Sequence, residues 1–277
     1  MLNIKKILLP VDFPNISLRV IHQAAALARH FHSEIVMLHV VTELTHPGGV
    51  REYGPGSAGW DMLDRSLGPE LDGLTIQRML VKGSAARAIV ETAEEEKAHM
   101  IMMPSYGQTF SQFLLGSVTA KVLHGTECPV WTDAHVEVSP VQGFAIRNIL
   151  CAVDFSPYNQ KAVSWAVQLA SEFRARLTLA HVTAGVEIWG PGGSSVNPEW
   201  KEVLVGYASE HIAELQRDIG IKADVFIGSG DVPKVLRQAA AQTKADLLVT
   251  GCNPYGGHLR THGYSIICAV QIPVLSV

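Results

Sequence analysis

Cysteine is scarce in this sequence, with four residues in 277, at positions 128, 151, 252 and 268. None forms a C-x-x-C pair, so the chain is no disulfide scaffold, and a reducing cytoplasm is the expected location. Charge is sparse as well, 17% of residues with a net charge of −4 and a pI near 6.3. With no global basic field, neither nucleic acid nor a membrane is expected as a partner. Long apolar runs are missing: none approaches the roughly 18 residues of a membrane span. The opening MLNIKKILLPVDF sets two lysines before an apolar stretch. That stretch is only about five residues, short of a secretory signal, and reads as a buried first strand. Catalytic signatures are absent too. No G-x-G-x-x-G follows the first strand, no Walker lysine is present, and no nucleophile–base–acid set stands at a recognisable spacing.

What the sequence does contain, it contains twice. ILLPVDF (7–13) recurs as ILCAVDF (149–155), an offset of 142 that holds through FHSEIVMLHV (31–40) and FRARLTLAHV (173–182). VKGSAARAI (81–89) and AHMIMMP (98–104) recur at an offset of 147 in IGSGDVPKVL (227–236) and ADLLVTG (245–251). ECPVW (127–131) returns as QIPVL (271–275). Such self-similarity marks two copies of one unit, here assigned to residues 1–139 and 145–277.

Within the first copy, β-rich runs fall at 7–11, 35–41, 76–81, 100–103 and 129–132. Helical patterns lie between them at 17–31, roughly 59–71, 85–97 and 116–124. This alternation predicts an α/β fold, with two doubly wound parallel sheets covered by helices on both faces. The first and fourth strands are expected to be neighbours where the strand order reverses. Ligands bind such sheets there, beyond the carboxyl ends of the strands. Asp12 and Asp154 stand at those ends in the two copies, and PSYGQTFSQFLLGS (104–117) follows the fourth strand of the first.

The Gly116–Ser117 junction opens the last helix of the first copy and has two readings. Serine is an ordinary helix cap beside an ordinary glycine turn. Alternatively, the free N–H groups of the helix start hold an anion, with Gly107 and Gly116 letting the backbone approach phosphate and Ser117 adding a hydroxyl.

Taken together, ILLPVDF, MLHVV, LLGSVTAKVL and the closing CPVW resemble the universal stress protein family. The resemblance covers nearly all of both halves and implies a tandem protein. It also implies Rossmann-like domains of the adenine nucleotide alpha hydrolase type, forming an internal pseudo-dimer joined by edge pairing of the last strands. A cytoplasmic, ATP-binding stress-response protein is implied, with Mg²⁺ and a further homodimer as expected company. Carried over residue by residue, the nucleoside site comprises Pro10, Val11, Asp12 and Val40, and the phosphate site Gly107, Gly116, Ser117 and Val118. Asp12 suits ribose hydroxyls or a hydrated Mg²⁺, and the backbone of Val40 could read an adenine edge.

The chain departs from the family loop G-x-x-G, nine residues, G-[S/T]. Pro104 replaces the first glycine, and eight residues rather than nine separate Gly107 from Gly116. The second loop, GCNPYGGHLRTHGYS (251–265), is shorter still, with Pro254 at the second glycine position. Aligned backward from the final strand, Arg260 falls opposite Gly116 and Thr261 opposite Ser117. Asp154, Val182 and Thr261 are then the candidates of a degenerate second site, where Arg260 is expected to pair with a phosphate, fill the pocket or form a salt bridge across the domain contact.

Other constellations read as structure. Cys252, His258, His262 and Cys268 have no standard zinc spacing, and no metal site is expected. His22, His30 and His32 read as a solvated helix face, as does EEEK (94–97). His39 and His181, at matched strand ends, suggest a shared structural hydrogen bond. HPGGVREYGPGSAGW (46–60) and IWGPGGSSVNPEW (188–200) are lids, interaction loops or plain connections. No catalytic residue is assigned, and slow ATP hydrolysis is the most enzymatic activity expected. The alternative function is a nucleotide-free interaction scaffold that uses the degenerate loops for partner binding.

Overall fold

The computed structural model describes residues 2–12, 17–41, 70–105, 115–133, 144–156, 159–184, 187–190, 193–196, 198–251 and 259–277. At 187–190, 193–196, 198–199 and 259–262 it describes the backbone alone. The chain divides into units at Asn3–Phe144 and Ala145–Val277.

In the first unit, the apolar run after Lys5 becomes β1 (Lys6–Val11). Ile7, Leu8 and Leu9 are all buried, as a strand covered on both faces requires. Ser17 caps α1 (Leu18–Phe31), its hydroxyl accepting the Val20 N–H at 3.5 Å. The inward face of α1 carries Val20, Ile21, Ala24, Ala25, Leu27 and Ala28, whose small alanines let the helix lie close to the sheet. Next come β2 (Glu34–Val41), β3 (Ile76–Lys82), α2 (Ala85–Glu95), β4 (Met100–Met103), α3 (Ser117–Gly125) and β5 (Val130–Thr132). All pairings are parallel, in the order β5-β4-β1-β2-β3. The chain therefore winds outward from β1 to β3, then returns past β1 to β4 and β5. With right-handed crossovers, that reversal puts the early and late helices on opposite faces, and α2 packs against α3.

The second unit repeats the plan with β6 (Asn148–Ala152), α4 (Asn159–Phe173), β7 (Arg176–Thr183), a hairpin of β8 (Glu187–Gly190) and β9 (Gly193–Val196), and α5 (Pro198–Ile219). It continues through β10 (Asp224–Ser229), α6 (Val232–Thr243), β11 (Leu247–Thr250), α7 (Leu259–Ala269) and β12 (Val274–Ser276). Its main strands are parallel in the matching order β10-β7-β6-β11-β12. The α/β doubly wound expectation thus holds in both units, including the pairing of first and fourth strands.

Four details correct the sequence reading. Residues 188–200 contain an antiparallel hairpin and the start of α5, beyond a lid or plain connection. The helix expected at 85–97 ends at Glu95, because Lys97 turns left-handed at φ 52°. Glu96 is no simple solvated residue: its carboxylate accepts from Lys6 Nζ at 2.7 Å and from Gln77 Nε2 at 3.2 Å. His22 likewise meets the Glu70 carboxylate at 3.3 Å. The helical pattern at 59–71 lies outside the described residues, except 70–71, which are helical.

Candidate functional site

At the switch point of the first unit, β1 lies between β2 and β4, with Ile7 opposite Met100 and Leu8 opposite Ile101. The candidate nucleoside residues stand at the carboxyl end of this arrangement. Pro10 is half-buried opposite Leu38 and has no N–H to give to the ladder. Val11 is buried, and its carbonyl accepts the His39 Nδ1–H at 3.0 Å. The same bond recurs from His181 Nδ1 to the Val153 carbonyl at 2.7 Å, so the shared structural bond expected of the two histidines is present in each unit. It pins the ends of the first two strands together. Asp12 follows Val11 directly and is exposed, while Val40 is half-buried in β2 opposite Val81.

The Gly116–Ser117 question has a clear structural answer on the capping side. Gly116, not Ser117, is the N-cap of α3, and as a glycine it has no side chain with which to cap the helix. Ser117 is the first helical residue and is exposed; Val118 follows, half-buried. The serine-cap reading is therefore corrected, because the residue with non-helical backbone is one position earlier. Gly116 donates its N–H to the Ser105 carbonyl at 2.9 Å. By helix geometry, the amides of Ser117, Val118 and Thr119 have no intrahelical acceptor. A helix start of this kind favours negative charge. Gly107 lies outside the described residues.

The sequence reading missed a group beside this helix start. Asp133 follows β5 and is only 1% exposed. One carboxylate oxygen accepts the Ser105 N–H at 2.9 Å and the Ser105 hydroxyl at 3.3 Å. The other accepts the hydroxyl of Ser17, the cap of α1, at 3.2 Å. Burial pushes its pKa above the ordinary aspartate value, against the opposing pull of these donors and of the Arg19 charge. On the α3 side, the Thr119 hydroxyl donates to the Pro104 carbonyl at 2.9 Å. The signal available in sequence was a mismatch between copies: PVWTD ends the first where PVLSV ends the second.

In the second unit, Asp154 is exposed at the end of β6, and one of its oxygens accepts from the Ser156 N–H and hydroxyl at 3.1 and 2.8 Å. Val182 is half-buried opposite Gly228. Thr261 does not open its helix as the alignment implied: α7 starts at Leu259, so Thr261 is its third residue. Phe155 adopts φ 58°. Its ring lies 4.4 Å from that of His181 and 5.3 Å from that of His211. The other described non-glycine residues with positive φ (His32, Lys97, Arg174 and Lys244) lie one or two residues past helix ends. Cys252 and His258 of the cysteine–histidine constellation lie outside the described residues. Among the described residues, no group of three His, Cys, Asp or Glu side chains could hold a metal, and no helix is long and apolar enough to cross a membrane.

Comparison with known proteins agrees with this architecture. A family profile described as the universal stress protein family matches residues 3–132 and again 145–264. A universal stress protein of Methanocaldococcus jannaschii is 30% identical over 140 residues, covering 46% of this chain and 79% of the relative. Universal stress protein A of Escherichia coli is 29% identical over 136 residues, covering 48% of this chain and 94% of the relative. Among solved structures, a universal stress protein from Archaeoglobus fulgidus covers 98% of this chain and 95% of its own, with TM-score 0.71 and 21% identity. A protein of unknown function from Pseudomonas aeruginosa covers 99% and 92%, with TM-score 0.72 and 16% identity. Identities this low support the fold alone. With the profile matched twice across most of its length, the chain belongs to the universal stress protein family, as a tandem pair of its domains.

Proposed function

We propose that this stress-response protein binds ATP in its first domain, and that its conformation or partner choice follows the nucleotide. The observation that carries the reading is the start of α3, a helix whose N-cap is a glycine with no side chain to cap it, at the switch point where doubly wound sheets receive ligands. Its donor set suits a phosphate: backbone amides of Ser117 and Val118, the Ser117 hydroxyl, and the favourable end of the helix dipole. Gly107 belongs to the same proposed loop. Asp12, exposed beside this edge, suits ribose hydroxyls or the water shell of Mg²⁺. Backbone atoms of Val40 would meet the base, with Pro10 and Val11 lining the nucleoside. ATP would supply the differential binding energy that shifts a conformational or partner equilibrium. Asp154, Val182 and Thr261 form the weaker second candidate, since the Asp154 carboxylate is already turned onto Ser156.

The test is titration calorimetry with ATP and Mg²⁺ on the wild-type chain, Asp12→Ala and Gly116→Val, with circular dichroism to check folding. The expected result is binding by the wild type and a loss of about tenfold or more in each variant with the fold intact. No heat in the wild type would overturn the reading. That outcome would favour the interaction scaffold, for which the exposed Trp200, Val203 and Tyr207 on α5 are the first surface to mutate.

A further inference from the structure

We propose that Asp133 is a positioning residue for phosphate in the first domain, acting through Ser105 on the start of α3. The inference rests on the nucleotide reading above and adds a residue to it that does not itself touch the ligand. A carboxylate buried to 1% exposure is costly unless hydrogen-bonded, and Asp133 draws its donors from two separate elements. Ser17 belongs to the cap of α1, while Ser105 ends the path out of β4. Once the Ser105 N–H and hydroxyl are held by Asp133, its peptide carbonyl is set to accept the Gly116 N–H at 2.9 Å. Thr119 adds a second tie, from the first turn of α3 to the Pro104 carbonyl. Pro104 and Ser105 are thus tied to the first turn of α3. The amides of Ser117 and Val118, which have no intrahelical acceptor, are thereby held near the carboxyl end of β4, the neighbour of β1. Such pre-organisation is what lets a backbone site hold an anion without reordering.

Among the described residues of the second unit, no side-chain carboxylate stands at this place. Val277 follows β12 as Asp133 follows β5, and it offers an apolar side chain, its own N–H donating to the Thr250 carbonyl at 3.0 Å. The side-chain carboxylate at this strand end is therefore a feature of the first domain, and the position is a valine in the second.

The experiment compares ATP and adenosine binding by calorimetry in the full-length wild type, Asp133→Val and Asp133→Asn. Asp133→Val installs the residue of the second unit, whereas Asp133→Asn keeps an acceptor for Ser105. The wild type is expected to prefer ATP over adenosine. Asp133→Val should lose about tenfold or more of that preference with little change for adenosine, and Asp133→Asn should restore most of it. Thr119→Val cuts the second tie without removing a charge and should show a smaller loss in the same direction, which keeps the test informative if Asp133→Val does not fold. Retention of the full preference in Asp133→Val, or in Thr119→Val if the former is unfolded, would overturn the inference. Equal losses for ATP and adenosine would overturn it too, by assigning Asp133 a purely structural role. A wild type that binds neither ligand would overturn the nucleotide reading and this inference together, and is told apart because it needs no variant.

Discussion

Asp133 holds its proton more tightly in the folded chain than a solvated aspartate does, because burial outweighs the help from Ser105, Ser17 and Arg19. The linkage follows directly. A carboxyl whose folded pKa lies above its unfolded value of 3.8 makes the fold less stable as pH rises from that value through the folded one. Asp133→Asn has no such term, so its stability relative to wild type should improve between about pH 4 and pH 7. Denaturant midpoints at the two pH values check this; a constant difference would contradict it. Cys151 gives a second residue-scale prediction. It is fully buried, and burial pushes its thiol up to about 12. Reactivity needs the thiolate, so native-state alkylation at pH 8 should leave Cys151 unlabelled while the half-buried Cys128 and Cys268 react. Mass spectrometry of the labelled peptides reads the order. At this scale the sequence was partly legible. His39 and His181 announced their shared bond by recurring at matched strand ends. Asp133 did not, because its meaning comes from Ser17 and Ser105, partners 116 and 28 positions away.

Strands and helices were the most legible level, since a central parallel strand must be an uninterrupted apolar run and β1 is one. Leu8 is fully buried there, so Leu8→Ala should cost about 2–5 kcal/mol, measured by chemical denaturation; a change below about 1 kcal/mol would mean that the strand is not central. Element ends were harder. Counting back from β12 aligns Thr261 with Ser117 but says nothing of the two further helical residues, Leu259 and Arg260, that precede it. The solvated reading of EEEK failed for a related reason. Glu96 lies where α2 ends, and there it meets Lys6 at the start of β1 and Gln77 on β3. The Lys6 hydrogen bond holds the Glu96 carboxyl below its ordinary range. Its contribution is therefore present above the unfolded pKa and is lost as pH falls through the folded one. Glu96→Gln should cost about 0.5–1 kcal/mol at neutral pH, with the cost disappearing in acid. A pH-independent cost would contradict the pairing account.

At the scale of the whole chain, the repeat announced two domains of one architecture, and the matched strand orders β5-β4-β1-β2-β3 and β10-β7-β6-β11-β12 are the result. The repeat also conceals a divergence of chemistry. The first unit has Asp133 and Ser105 behind the start of α3, whereas the second has Val277 in that place and turns Asp154 onto Ser156. This asymmetry makes the central claim countable. The most direct measurement is the adenine nucleotide content of the purified protein, released by heat and quantified by chromatography, together with the calorimetric stoichiometry for ATP and Mg²⁺. The account predicts one nucleotide per chain, lost in Gly116→Val. Two per chain would contradict the assignment to the first domain, and none, with no heat on titration, would contradict nucleotide binding itself.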